Sequence, residues 1–143
     1  MALSYVDMIG VPYLLHGVLP SGLDCSTTCE EVLRRLGLQA PPTSAFRYPA
    51  SSGELGEFEK YMNRARSKVT RVGTHLGAAT RVGDLLLVSD PAGVGQRGMY
   101  VLVEQDLFLT SHPRTGVTPT TRQAIMRLRP TILGVYRCKE ATA

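Results

Sequence analysis

The stretch that most constrains this chain runs from Pro12 to Leu36, PYLLHGVLPSGLDCSTTCEEVLRRL. Pro12, Gly17, Pro20 and Gly22 break any regular pattern in its first half and make it a loop. A helical pattern then starts at Asp24-Cys25-Ser26. Cys25, Cys29, Val32, Leu33 and Leu36 fall at i, i+4, i+7, i+8 and i+11, which is one face of a helix. Asp24 and Ser26 are good N-cap residues, Glu30 and Glu31 suit the early turns, and Gly37 is a C′ stop. Cys25 therefore stands at or beside a helix N-terminus, at the end of a loop. Such a place lowers a thiol pKa and makes the thiolate available as a nucleophile. The plainer reading of the same residue is a small buried apolar side chain opening an amphipathic helix.

Taken in order, residues 4–9 suggest a short helix closed by Gly10, and residues 25–36 the cysteine helix. Residues 40–53, APPTSAFRYPASSG, read as a polar, Pro-rich surface loop. A second helix is expected over 54–66, with Leu55, Phe58, Met62 and Ala65 on one face. Strands are expected at 69–73, 84–88, 99–103, 107–110 and 132–137. The run GDLLLVSDP is almost continuously apolar, as a central strand would be. Pro113, Gly116 and Pro119 mark a loop leading to a short helix over 121–128. Helices first and an antiparallel set of about five strands after them make an α+β order. A chain of 143 residues is expected to form a single domain over 1–143.

Several functional classes lose support. Three cysteines do not make a disulfide framework. No apolar run approaches the roughly 18 residues needed to span a bilayer. The N-terminus MALSYVDMIG lacks a basic segment followed by an apolar one, so it is not read as a secretory signal. The expectation is a chain made in a cytoplasm with reduced thiols, reaching the outside, if at all, by lysis or within a particle. Residues 93–98 match G-x-G-x-x-G by letter, but a strand-like run follows where a dinucleotide site needs a helix. Basic clusters at Lys60, Arg64, Arg66, Lys68, Arg71 and Arg81, and at Arg114, Arg122, Arg127 and Arg129, admit a nucleic-acid partner. They lack interleaved aromatics or a reading motif, and a solvated surface is the preferred account. His16, His75 and His112 show no metal-ligand spacing, so neither metal nor cofactor is expected.

Pro12-Tyr13-Leu14-Leu15-His16-Gly17, then Gly22-Leu23-Asp24-Cys25-Ser26, resembles the opening motif of the NlpC-type cell-wall peptidases. These are papain-like cysteine endopeptidases and include phage tail homologues. Their pattern reads P-Y-x-x-G-G, a short gap, then G-F-D-C-S-G. Gly83-Asp84-Leu85 resembles their G-D-L strand, and Arg97-Gly98-Met99-Tyr100-Val101 their H-V-G-I-Y strand. Gly134-Val135-Tyr136-Arg137 matches the closing strand. The resemblance implies a papain-like fold, Cys25 as nucleophile, and a substrate-binding rim at Tyr13, Asp24 and Ser26. The base position is Gln96, however, and a carboxamide does not titrate in the working range. The third, orienting residue falls near 110–112. His112 and His16 are the candidate substitutes for the base.

Three functions follow from this. One is a degenerate domain acting as a structural or binding module, with peptidoglycan or virion proteins as partners, in a phage particle or tail. The second is an active peptidase cutting peptidoglycan stem peptides with Cys25 as nucleophile. The third is a basic protein associated with nucleic acid.

Overall fold

In a computed structural model describing residues 3–39, 69–73, 80–89 and 97–140, the Gly83-Asp84-Leu85 run leads into an antiparallel sheet. The sheet has six strands among the described residues. They are β1 (Val69–Gly73), β2 (Leu85–Ser89), β3 (Arg97–Glu104), β4 (Leu107–His112), β5 (Gly116–Thr121) and β6 (Thr131–Cys138), in the order β1-β6-β2-β3-β4-β5. β2 lies inside the sheet, between β6 and β3, and Leu85, Leu86, Leu87 and Val88 are all buried. That explains its unbroken apolar run, because successive side chains enter opposite faces and both faces are covered.

One face carries Leu85, Leu87, Met99, Val101, Leu109 and Val117 against Cys29, Val32 and Leu33 of helix α1 (Cys25–Arg35). The other gathers Leu86, Val88, Leu102, Phe108 and Val135 around Ile125 of helix α2 (Arg122–Arg127). There Tyr100 and Phe108 meet edge to face, their ring centroids 6.5 Å apart. Full burial of each such side chain contributes about 1.5–3 kcal/mol, so the two faces together dominate the stability of the sheet.

The sheet is entered and closed by a charged clamp. The carboxylate of Asp84, only 2% exposed, accepts Nε and Nη2 of Arg137 at 2.9 and 2.8 Å and the Arg81 N–H at 2.8 Å. The forked pair ties the residue just before β2 to the C-terminal end of β6. At the other end, Arg35 of α1 binds both Asp7 oxygens, at 2.6 and 2.8 Å, and Glu31 at 3.0 Å. This holds the N-terminal segment on the helix.

One expectation changes and another is sharpened. The short helix expected over 4–9 is a single 3-10 helix, Val6–Met8. Residues 116–121, expected as loop, form β5, which makes six strands instead of about five. Pro119 marks a breaker in sequence, but β5 is the last strand of the sheet, where a missing N–H breaks no ladder. The outer side of β5 is capped by the N-terminal chain: Gly10 donates to Val117 O and Val117 donates to Val11 O, both at 2.9 Å. Gly116 has φ +71, and a Cβ there would strike the Val11 carbonyl. The helix expected over 54–66 and the loop over 40–53 lie outside the described residues.

Candidate active site

The loop before Cys25 is closed on itself. Leu23 donates to Pro12 O at 3.0 Å, and Leu14 donates to Leu23 O at 3.2 Å. Gly17 and Gly22 sit so close that a Cβ on Gly17 would come within 2.5 Å of Gly22 O, which is why both are glycine. His16 has φ +57, the left-handed conformation that glycine adopts freely.

Asp24 joins this loop to the helix. Its backbone N–H donates to Thr27 Oγ1 at 2.8 Å, and its Oδ1 accepts the Thr27 N–H at 2.8 Å, a reciprocal capping box. Oδ1 also accepts Ser26 Oγ at 2.7 Å, while Oδ2 accepts the His16 N–H at 2.7 Å. Burial alone would push this carboxyl up; the donors from Thr27, Ser26 and His16 outweigh it and hold it below its ordinary value.

Cys25 is the first residue of α1 and is partly exposed. Its thiol behaves opposite to the expectation from helix position. Burial pushes it up from 9.0 to about 11, and the neighbouring Asp24 carboxylate pushes the same way. The backbone N–H groups of Met99, Ser26 and Cys25 itself pull it down without offsetting those two effects. Tyr13 stands beside the pair: burial raises its phenol, and the charges at Cys25 and Asp24 add to this. Tyr13, Asp24, Cys25 and Ser26 are therefore brought together.

The imidazoles are placed differently. His16 is exposed, and it is its backbone N–H that serves the site. His112 is exposed at the end of β4, where its Nδ1 accepts the Arg114 N–H at 3.3 Å. Neither hydrogen-bonds the Cys25 sulfur. Gln96 and His75 lie outside the described residues. Cys29 and Cys138 are buried near one another, and burial raises both thiols, Cys138 to about 12. No cluster of His, Cys, Asp and Glu among the described residues could hold a metal, and no helix there is long and apolar enough to cross a membrane. Of the basic residues, Arg122 pairs with Asp106 at 2.8 Å and Arg137 with Asp84, while Arg114, Arg127 and Arg129 are exposed.

Within 110–112, where the resemblance puts the third residue, two hydroxyls take part rather than His112. Thr110 and Ser111 are buried hydroxyls near the end of an otherwise apolar strand. Ser111 Oγ donates to Leu23 O at 2.7 Å, pinning the loop just before Cys25, and Thr110 Oγ1 donates to Met99 O at 2.7 Å. The signal in LFLTSH is the pair of hydroxyls itself, since buried polar groups need partners.

A model of the NlpC/P60 family matches residues 10–127. Among solved structures, the NlpC/p60 domain of the peptidoglycan hydrolase SagA is similar at 18% identity and TM-score 0.51. The alignment covers 88% of this chain and 87% of that one. An NlpC/P60 family protein from Bacillus cereus is similar at 18% identity and TM-score 0.52, over 90% of this chain and 35% of that one. At these identities the likeness shows the fold. No curated protein matches the chain.

Proposed function

The chain belongs to the NlpC/P60 family, and from that premise we propose that it is a peptidoglycan-directed domain that holds a stem peptide at the Cys25 site without cutting it. The observation that carries this reading is the company of the Cys25 sulfur. No imidazole among the described residues hydrogen-bonds it, the backbone N–H groups around it do not offset its burial and the Asp24 charge, and its thiol is pushed up to about 11. At pH 7 that leaves about one thiolate in ten thousand. The base position carries Gln96, whose carboxamide cannot take a proton from the thiol. A neutral thiol beside backbone donors presents polar groups to a peptide rather than a nucleophile.

Tyr13, Asp24 and Ser26 form the rim of this site. The Asp24 carboxylate and the Ser26 hydroxyl are committed to each other and to Thr27 and His16. Tyr13 is the rim residue whose hydroxyl has no hydrogen-bond partner among the described residues, so it is assigned the direct contact with ligand. The proposed setting is a phage particle or tail, with peptidoglycan and virion proteins as partners; its support is the resemblance of the opening motif to a family that includes phage tail homologues.

An active cysteine peptidase is the competing reading. It is favoured by the partial exposure of Cys25 at the start of α1, where clustered N–H groups suit an oxyanion. In that case Cys25 is the nucleophile and His112 or His16 must supply the base. Co-sedimentation with purified peptidoglycan tests the binding half of the proposal. The chain should pellet with the polymer, Cys25→Ala should pellet equally, and Tyr13→Phe should pellet less. A chain that stays in the supernatant at physiological salt overturns it.

A further inference from the structure

Tyr13, the residue assigned to the ligand, sits on a loop whose two stems are held by one pair of strand residues. Ser111 of β4 and Val117 of β5 lie opposite each other in the sheet. Leu109 and Val117 are on the face that carries α1, and alternation puts Ser111 on that face as well. Val117 holds the first stem: its N–H donates to Val11 O and its carbonyl accepts the Gly10 N–H, both at 2.9 Å. Ser111, which is buried, holds the second: its Oγ donates to Leu23 O at 2.7 Å.

The stems are joined around Tyr13. Tyr13 and Leu23 form a parallel bridge, in which Leu23 donates to Pro12 O at 3.0 Å and accepts the Leu14 N–H at 3.2 Å. These two bonds flank Tyr13, so its backbone is set wherever Leu23 is set. Pro12 and Leu14 are exposed and Tyr13 is half-buried, so its place follows from the bridge more than from packing within its own loop. Every bond of this frame except one runs between backbone groups; the exception is Ser111 Oγ. We propose that Ser111 is a positioning residue of the ligand site, acting through the Leu23 carbonyl to hold Tyr13 where its hydroxyl can reach the ligand. The inference rests on the assignment of the ligand contact to Tyr13. Leu23 O has two lone pairs and keeps the Leu14 N–H when the hydroxyl is removed, so no buried carbonyl is left bare and the effect stays local.

The test labels the full chain with fluorotyrosine and follows the fluorine NMR signal of Tyr13, identified as the one lost in Tyr13→Phe. Ser111→Ala should move or split that signal and leave those of the other tyrosines in place. Ser111→Thr keeps the hydroxyl and should leave the Tyr13 signal as in the native chain. In co-sedimentation with purified peptidoglycan, Ser111→Ala should weaken binding by roughly three- to tenfold, the factor that one net hydrogen bond carries. In a Tyr13→Phe chain it should add nothing. A Tyr13 signal unmoved by Ser111→Ala, or moved as far by Ser111→Thr, overturns the proposal, as does an additive loss of binding in the Tyr13→Phe chain. So does a Ser111→Ala chain that fails to fold, since the hydroxyl then holds the fold rather than Tyr13. A native chain that does not pellet sinks the peptidoglycan reading while the fluorine signal still decides this one, so the two failures are told apart.

Discussion

Asp24→Asn separates the two jobs of one carboxylate. In the native chain Oδ1 takes the Thr27 N–H and the Ser26 hydroxyl, while Oδ2 takes the His16 N–H. Asparagine is itself a good cap, so the Thr27 bond survives through its single carbonyl oxygen. Its NH2 group must then face the His16 N–H, donor against donor. One part-buried N–H loses its partner, which costs about 1–3 kcal/mol. Taking about 2 kcal/mol, and about 2–4 °C per kcal/mol for a domain near this size, the melting temperature should fall by about 4–8 °C. The same change removes the negative charge that helps burial push the Cys25 thiol up to about 11. The thiol midpoint should therefore drop, by up to about one unit, or roughly tenfold more thiolate at a fixed pH. Differential scanning fluorimetry and iodoacetamide alkylation across pH read the two effects on one sample. An unchanged melting temperature would show that the His16 N–H does not depend on Asp24. A thiol midpoint that stays or rises would show that the carboxylate is not felt at the sulfur.

Asp84→Ala should cost about 3 kcal/mol in urea unfolding, the low end for removing one partner of a buried pair, since the Arg137 side chain is 29% exposed and keeps some water; an effect under about 1 kcal/mol would refute the clamp. Alkaline stability follows from the thiols. Cys25 rises from 9.0 to about 11 and Cys138 from 9.0 to about 12, so the unfolded chain ionises first. Stability should be complete below pH 9 and fall between pH 9 and about 12, with Cys138→Val flattening the decline; a urea midpoint equal at pH 8 and pH 10.5 would contradict this. Gln96→His should create Cys25-dependent release of stem peptides from peptidoglycan, and the double variant with Cys25→Ala should show none. If Gln96→His stays inert, position 96 is not the base position.

Much of the architecture is legible in local pattern. The i, i+4, i+7, i+8 spacing from Cys25 and the Asp24 cap define α1, and the run Leu85-Leu86-Leu87-Val88 announces a strand buried on both faces. β5 was hidden because Pro119 reads as a breaker until the sheet order puts it at an edge. The thiol expectation reversed for a related reason. Helix position is a local signal, whereas the burial of Cys25 and the charge of Asp24 are set by tertiary packing and by a residue that sequence rules treat only as a cap. The bonds that Thr110 and Ser111 make to Met99 O and Leu23 O need the register between β3, β4 and the Cys25 loop, which no spacing encodes.

The proposed Cys25 site retains its peptide ligand intact. Purified peptidoglycan incubated with the native chain and analysed by mass spectrometry for released stem peptides tests it most directly. The expected result is polymer-bound protein and no release above a Cys25→Ala control. Release by the native chain that disappears in Cys25→Ala would contradict it and establish a working peptidase.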